Sequence, residues 1–179
     1  MNDLETLRYP IGKFECPSEI TDQHLQLWMD TLEQFPDKLQ TIVSNLTDGQ
    51  LDTPYRPEGW TVRQVVHHVS DSHHHSYVRF KWALTEDKPV IKYYFEKEWA
   101  NLDDAKHAPI EMSLNHLKAV HVKLNYLLRS LNESQLKRTF IHPEHNEETS
   151  LKENIGKYAW HSNHHYAHVH NLLQNKGWL

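Results

Sequence analysis

Between Thr21 and Leu46 the apolar side chains recur in steps of three and four: Leu25, Trp28, Leu32, Phe35, Leu39, Ile42 and Leu46. That spacing lays them along one face of an α-helix and leaves polar residues on the other. Thr21 is placed to cap the start, and Asp22 suits the positive end of the helix dipole. Pro36 falls inside the pattern. Lacking a backbone N–H, it predicts a kink or a split into two helices. A second helix opens after the breaker-rich stretch Asp52-Thr53-Pro54-Tyr55-Arg56-Pro57-Glu58-Gly59. Thr61 and Gln64 form a capping box there. The stripe Val62, Val66, Val69, Ser76 and Phe80, with Val65 beside it, then runs on to the neighbourhood of Thr85.

From Glu86 to Pro109 the periodicity fails, and Tyr93, Tyr94, Phe95 and Trp99 stand in a long connection. A connection of that length in a compact domain has a function or packs over something. A third helix is predicted from Ser113 to Leu131, with Leu114, Leu117, Leu124, Leu128 and Leu131 on one face. The segment from Thr139 to Thr149 reads as a loop or short hairpin. A second capping box, Ser150 and Glu153, starts a fourth helix with the stripe Leu151, Ile155, Tyr158, Ser162, Val169 and Leu172; it stops at Lys176-Gly177. Four amphipathic helices predict an all-α four-helix bundle, with 86–109 as a crossover connection. No repeat, low-complexity tract or linker divides the chain, so residues 1–179 read as one domain.

Composition narrows the function classes. A net charge of -5 disfavours nucleic acid as a partner, because phosphate binding needs a basic surface. No apolar run approaches a membrane span, and the acidic start Met1-Asn2-Asp3-Leu4-Glu5 does not read as a signal peptide. The single cysteine, Cys16, excludes an internal disulfide and a Cys-rich zinc site and fits a reducing, cytoplasmic setting.

Sixteen histidines are the outlier, and they cluster at His67–His75 and His161–His170. Imidazole is the commonest metal ligand in proteins. His161 and His165 are one helical turn apart, close enough to grip one ion, although such a pair also arises by chance in a histidine-rich chain. The third ligand would come from the first cluster. There His68 lies at the edge of the apolar stripe and is favoured, and His67 points more nearly away from the core. At most one of His73, His74 and His75 can face inward. His168 and His170 read as surface residues. Three neutral imidazoles with an open position make the pattern of a catalytic zinc site, though nickel, cobalt, iron or manganese also suit such ligands. The residue after His161 is Ser162, so the glutamate base of the His-Glu-x-x-His peptidases is absent.

Several blocks of sequence are familiar. They are Tyr9-Pro10-Ile11-Gly12, Gln50-Leu51-Asp52-Thr53-Pro54-Tyr55-Arg56, Gly59-Trp60-Thr61-Val62-Arg63-Gln64-Val65-Val66-His67-His68, Trp160-His161-Ser162-Asn163-His164-His165, and Gly177-Trp178. Through them the chain resembles, nearly end to end, the DinB/YfiT-like family of helical-bundle metalloproteins. It is most similar to the branch described by analogy as metal-dependent hydrolases and linked to bacillithiol S-transferase activity. The resemblance implies a metal triad of His68, His161 and His165, a homodimer and a cytoplasmic location.

Three functions follow as expectations. The first is transfer of a low-molecular-weight thiol to an electrophilic substrate, with the metal lowering the thiol's pKa and Arg63 or Arg56 holding a carboxylate of the thiol ligand. The second is hydrolysis by a water that the metal activates, with Asp71, one turn after His68, as base or supporting group. The third is metal binding without turnover.

Overall fold

The computed structural model describes residues 3–144 and 146–179. Met1 and Asn2, where the reading of the N-terminus begins, and His145, in the 139–149 segment, lie outside the described residues. A short helix α1 (Asp3–Arg8) leads into an extended arm, and α2 (Asp22–Val43) follows. The Thr21 hydroxyl accepts from the backbone N–H of His24, which fixes the start of α2 as expected. Pro36 does not split the helix: α2 is one element through it, with Pro36 buried. The short helix α3 (Asp48–Leu51) precedes α4 (Val62–Thr85). The Thr61–Gln64 box closes at 2.9 Å and 3.2 Å.

The 86–109 connection holds two short helices, α5 (Glu96–Trp99) and α6 (Asp103–His107). Helix α7 (Ile110–Arg129) begins three residues ahead of the predicted Ser113. Pro109 stands just before its first turn, where a fixed φ of -57° and a missing N–H cost nothing, so the proline starts this helix. After α8 (Glu133–Leu136), strands β1 (Thr139–His142) and β2 (Glu147–Ser150) pair antiparallel as a hairpin. Helix α9 (Leu151–Lys176) opens on the Ser150–Glu153 box and ends at Gly177, whose φ of 67° is the left-handed conformation glycine adopts freely.

The four long helices form a ring in which α2 packs on α7 and α9, and α4 on the same two. Their directions can be read from side-chain pairs. Along α4 and α7, His67 meets Ser113 and His73 meets His121, so the two run parallel. Between α4 and α9, His68 meets His161 and Ser76 meets Asn154, so these are antiparallel. Parallel neighbours cannot be joined by a tight turn, so the 86–109 connection must carry the chain back along the bundle as a crossover.

Two apolar clusters fill the bundle. One gathers Phe35, Leu39, Val43, Val62, Val66, Leu117 and Val169; the other gathers Leu25, Leu32, Phe80, Leu124, Phe140, Leu151 and Ile155. Between them along the helices lies a buried polar layer that includes Ser72, His73, Ser76, His121 and His165. Among the described residues no helix is long and apolar enough to cross a membrane.

Gly156 sets how closely α2 and α9 approach. A Cβ there would lie 2.8 Å from the Trp28 ring. Gly156→Ala should therefore destabilise the protein by about 1–3 kcal/mol, although alanine is the better helix former, because the indole has to move out of a packed position. Urea denaturation checks this; an unchanged or raised midpoint would contradict it.

Candidate metal centre

His68 comes from the second turn of α4, and His161 and His165 come from the middle of α9. One imidazole nitrogen of each lies within 4.8 Å of the other two. The Nε2 atoms of His68 and His161 are 3.4 Å apart. Two nitrogens bound tetrahedrally to one zinc at 2.0–2.1 Å stand about 3.3 Å apart, so this pair already has the spacing of a chelating pair. The rings of His68 and His165 are buried, and that of His161 is partly open on the cavity side. Burial pushes the His68 pKa down to about 3, with His164 adding to the effect. Burial, then the neighbouring imidazoles, hold His161 and His165 well below the usual histidine range. All three are neutral at physiological pH, which is the form that binds a metal. Among the described residues no cysteine or carboxylate joins the group. The donor set therefore suits a borderline ion such as zinc and leaves a coordination position for another ligand.

The triad lies at a cavity of about 350 Å³. Trp60 stands at one side, 4.6 Å between ring centroids from His68. Tyr93, Tyr94 and Glu96 reach in from the crossover connection, so that connection walls the site. Helix α4 adds Ser72 and Arg79, and α9 adds Lys157, Tyr158 and Trp160. Arg79 is buried and its Nη1 donates to the Tyr158 hydroxyl at 3.3 Å, while its Nε has no hydrogen-bond partner. Burial, then the Arg79 charge, lowers the Lys157 pKa.

The other residues singled out in the sequence lie elsewhere. Arg63 is buried and bonds Asp52 at 2.7 Å, Asp48 at 2.8 Å and the Ala108 carbonyl at 3.2 Å; it ties α3 and the end of the crossover to α4 and does not line the cavity. Arg56 Nη1 donates to the Pro57 carbonyl at 2.9 Å. Asp71 turns toward α6: burial, then the Asp104 charge, raises its pKa to about 6, and it too is outside the cavity lining.

Two expectations are corrected. His67 does not point away from the core. It is buried, with Nδ1 2.7 Å from the Ser113 hydroxyl and Nε2 3.2 Å from the Ala108 carbonyl, because the start of α7 covers that face of α4. His168 is not a surface residue. The end of α1 covers it: its Nε2 donates to the Arg8 carbonyl at 3.0 Å, and its ring stacks on Tyr55. His164, His165 and His168 form a second group with ligand atoms within 4.8 Å, but of these only His165 lines the cavity. Of the run His73–His75, only His73 is fully buried, and its Nε2 lies 3.1 Å from His161 Nδ1.

The family model described as the DinB superfamily matches residues 31–169. The Bacillus subtilis protein named "Putative metal-dependent hydrolase YfiT" is 47% identical over 172 residues, covering 96% of this chain and 97% of that one. A Bacillus cereus relative whose name likewise reads metal-dependent hydrolase is 49% identical over 178 residues, covering 99% of this chain and all of its own length. The solved structure of Bacillus subtilis YfiT, described as having an unusual four-helix bundle topology, superposes with a TM-score of 0.95 at 46% identity over 97% of this chain and 99% of that one. The parallel α4–α7 pair and its crossover accord with that description. The bundle, the match over most of the chain and the near-complete overlap with these relatives lead to one conclusion: the chain belongs to the DinB superfamily.

Proposed function

We propose that the protein is a metal-dependent hydrolase in which His68, His161 and His165 hold a divalent ion, zinc by preference, at the cavity between α4 and α9. The observation that carries this reading is the convergence of three neutral imidazole nitrogens on one open cavity. The names of the relatives point the same way. When bound, such an ion polarises a substrate carbonyl and lowers the pKa of a coordinated water.

The chain's own groups do the rest. Trp60, Tyr94 and Trp160 give the cavity aromatic walls that hold an apolar portion of the substrate and restrict water. Arg79 lines the cavity, and its guanidinium offers a charged donor to a substrate oxygen. Burial, then Tyr158, raises the Tyr94 pKa, so the hydroxyl stays protonated and can donate as well. Glu96 and Glu144 bring carboxylates to the cavity lining, where they replace Asp71 as candidates for moving a proton.

One observation favours thiol transfer as a second reading. The position after His161, glutamate in the zinc peptidases, is Ser162; its hydroxyl is buried and donates to the Tyr158 carbonyl at 2.8 Å, so no base stands beside the triad on α9. Thiol transfer needs none, since a thiolate is already a nucleophile.

Zinc-loaded protein should hydrolyse chromogenic esters or amides in the absence of thiol, and an added small thiol should slow it by competing for the ion. A rate that is zero without thiol and rises to saturation with it, using an electrophilic substrate, would replace hydrolysis by transfer.

A further inference from the structure

Helix α2 contains a carbonyl that the helix cannot satisfy. The partner of the Leu32 carbonyl would be the N–H of residue 36, and residue 36 is proline. The bundle supplies a donor from outside: His121 of α7 reaches across with its Nδ1 2.5 Å from the Leu32 oxygen. His121 Nε2 is 2.9 Å from His73 Nδ1, and His73 Nε2 is 3.1 Å from His161 Nδ1. Three imidazoles therefore run in series from a backbone carbonyl to one of the three site histidines.

The direction of this series is forced. A carbonyl only accepts, so His121 Nδ1 carries the proton. His121 and His73 are buried, and among the described residues their ring nitrogens meet only a carbonyl and other imidazoles, with no carboxylate to balance a charge, so each is a neutral imidazole with one donor and one acceptor. His121 Nε2 then accepts from His73 Nδ1–H, and His73 Nε2 accepts from His161 Nδ1–H. What remains on His161 is a lone pair at Nε2, the atom that lies 3.4 Å from His68 Nε2.

We infer that His73 and His121 are positioning residues for the metal centre: anchored on the Leu32 carbonyl that Pro36 leaves open, they hold His161 in the tautomer and orientation that present Nε2 to the ion. The inference rests on the reading of His161 as a ligand. It gives Pro36 a role beyond tolerance in the helix, and it explains two buried histidines that do not line the metal cavity. His73 is held between the rings of Phe35 and Tyr158 as well, so its plane is fixed by packing. Groups that orient a metal-bound histidine through its second nitrogen typically affect metal affinity by 10–100-fold.

The test has two arms. Long-range proton–nitrogen NMR on the metal-free wild-type protein reads the tautomers directly: His121, His73 and His161 should all carry the proton on Nδ1. Zinc affinity by chelator competition should then fall by about 10–100-fold in His73→Leu. His73→Gln, whose amide can both accept and donate, should recover most of that loss, which a purely space-filling role would not require. An Nε2–H tautomer at His161, or wild-type zinc affinity in His73→Leu, would overturn the inference. If His73→Leu does not fold, the wild-type tautomers decide it. Correct tautomers in a protein that binds no zinc would uphold the relay while removing the metal reading, so the two failures are distinguishable.

Discussion

His161→Ala should lose stoichiometric zinc and ester hydrolysis together, and His68→Ala and His165→Ala should do the same, whereas His74→Ala should keep both. Two imidazoles left at the site make an incomplete set for a catalytic ion, which is held by three protein ligands. The Lewis-acid contribution of such an ion is several kcal/mol of transition-state stabilisation, so activity should drop about a thousandfold or more. His74 is the control because it belongs to the same cluster and helix but points elsewhere: it is exposed, with Nδ1 3.2 Å from His116 Nε2, and is outside the cavity lining. Metal content by elemental analysis beside hydrolysis rates checks the set. Wild-type zinc in His161→Ala would make the ligand assignment wrong.

The metal-free protein should also be acid-labile well above the range where carboxylates titrate. His68 is pushed down to about 3, and His121, His164 and His168 to about 4, in each case chiefly by burial. Their unfolded value is 6.5. The folded state therefore binds fewer protons than the unfolded state between those limits. Stability is fully present above 6.5 and is lost as pH falls through that window toward the folded values. Each such group contributes about 1.4 kcal/mol per pH unit. Four of them over one unit would amount to about 6 kcal/mol at most; screening at the less buried His164 and His168 lowers this to several kcal/mol, still the scale of a whole domain's stability. Urea midpoints measured in chelator should fall steeply between pH 6.5 and 5. A midpoint flat across that range would show that these rings are charged or solvated in the fold. Zinc should shift the loss to lower pH, because it binds only the neutral rings.

What the sequence reveals here is what local chemistry determines. The starts of α2, α4 and α9 are legible because Thr21, Thr61 and Ser150 make their capping bonds within three residues. The four-helix bundle is legible from periodicity, and the His161–His165 pair from one helical turn. Placing His68 beside them needed the α4–α9 contact or the family resemblance. The errors share one cause: each concerns a partner distant in the chain. His168 looks exposed until the end of α1 at Arg8 covers it, and His67 until Ser113 does. Pro36 reads as a helix breaker because its compensation comes from His121 on another helix. Arg79 and Tyr158 enter the site only when α4 and α9 run antiparallel, and no spacing in the sequence encodes that. The buried polar layer places serines within the apolar stripes of α4 and α9, at Ser76 and Ser162, next to the candidate site.

One ion should sit among His68, His161 and His165. Zinc anomalous scattering from crystals of the loaded protein tests it most directly. A single strong peak is expected about 2.0–2.1 Å from one nitrogen of each of the three rings, with Nε2 as the atom on His161. A peak among His164, His165 and His168, or no peak at the cavity from protein holding one equivalent of zinc, would contradict it.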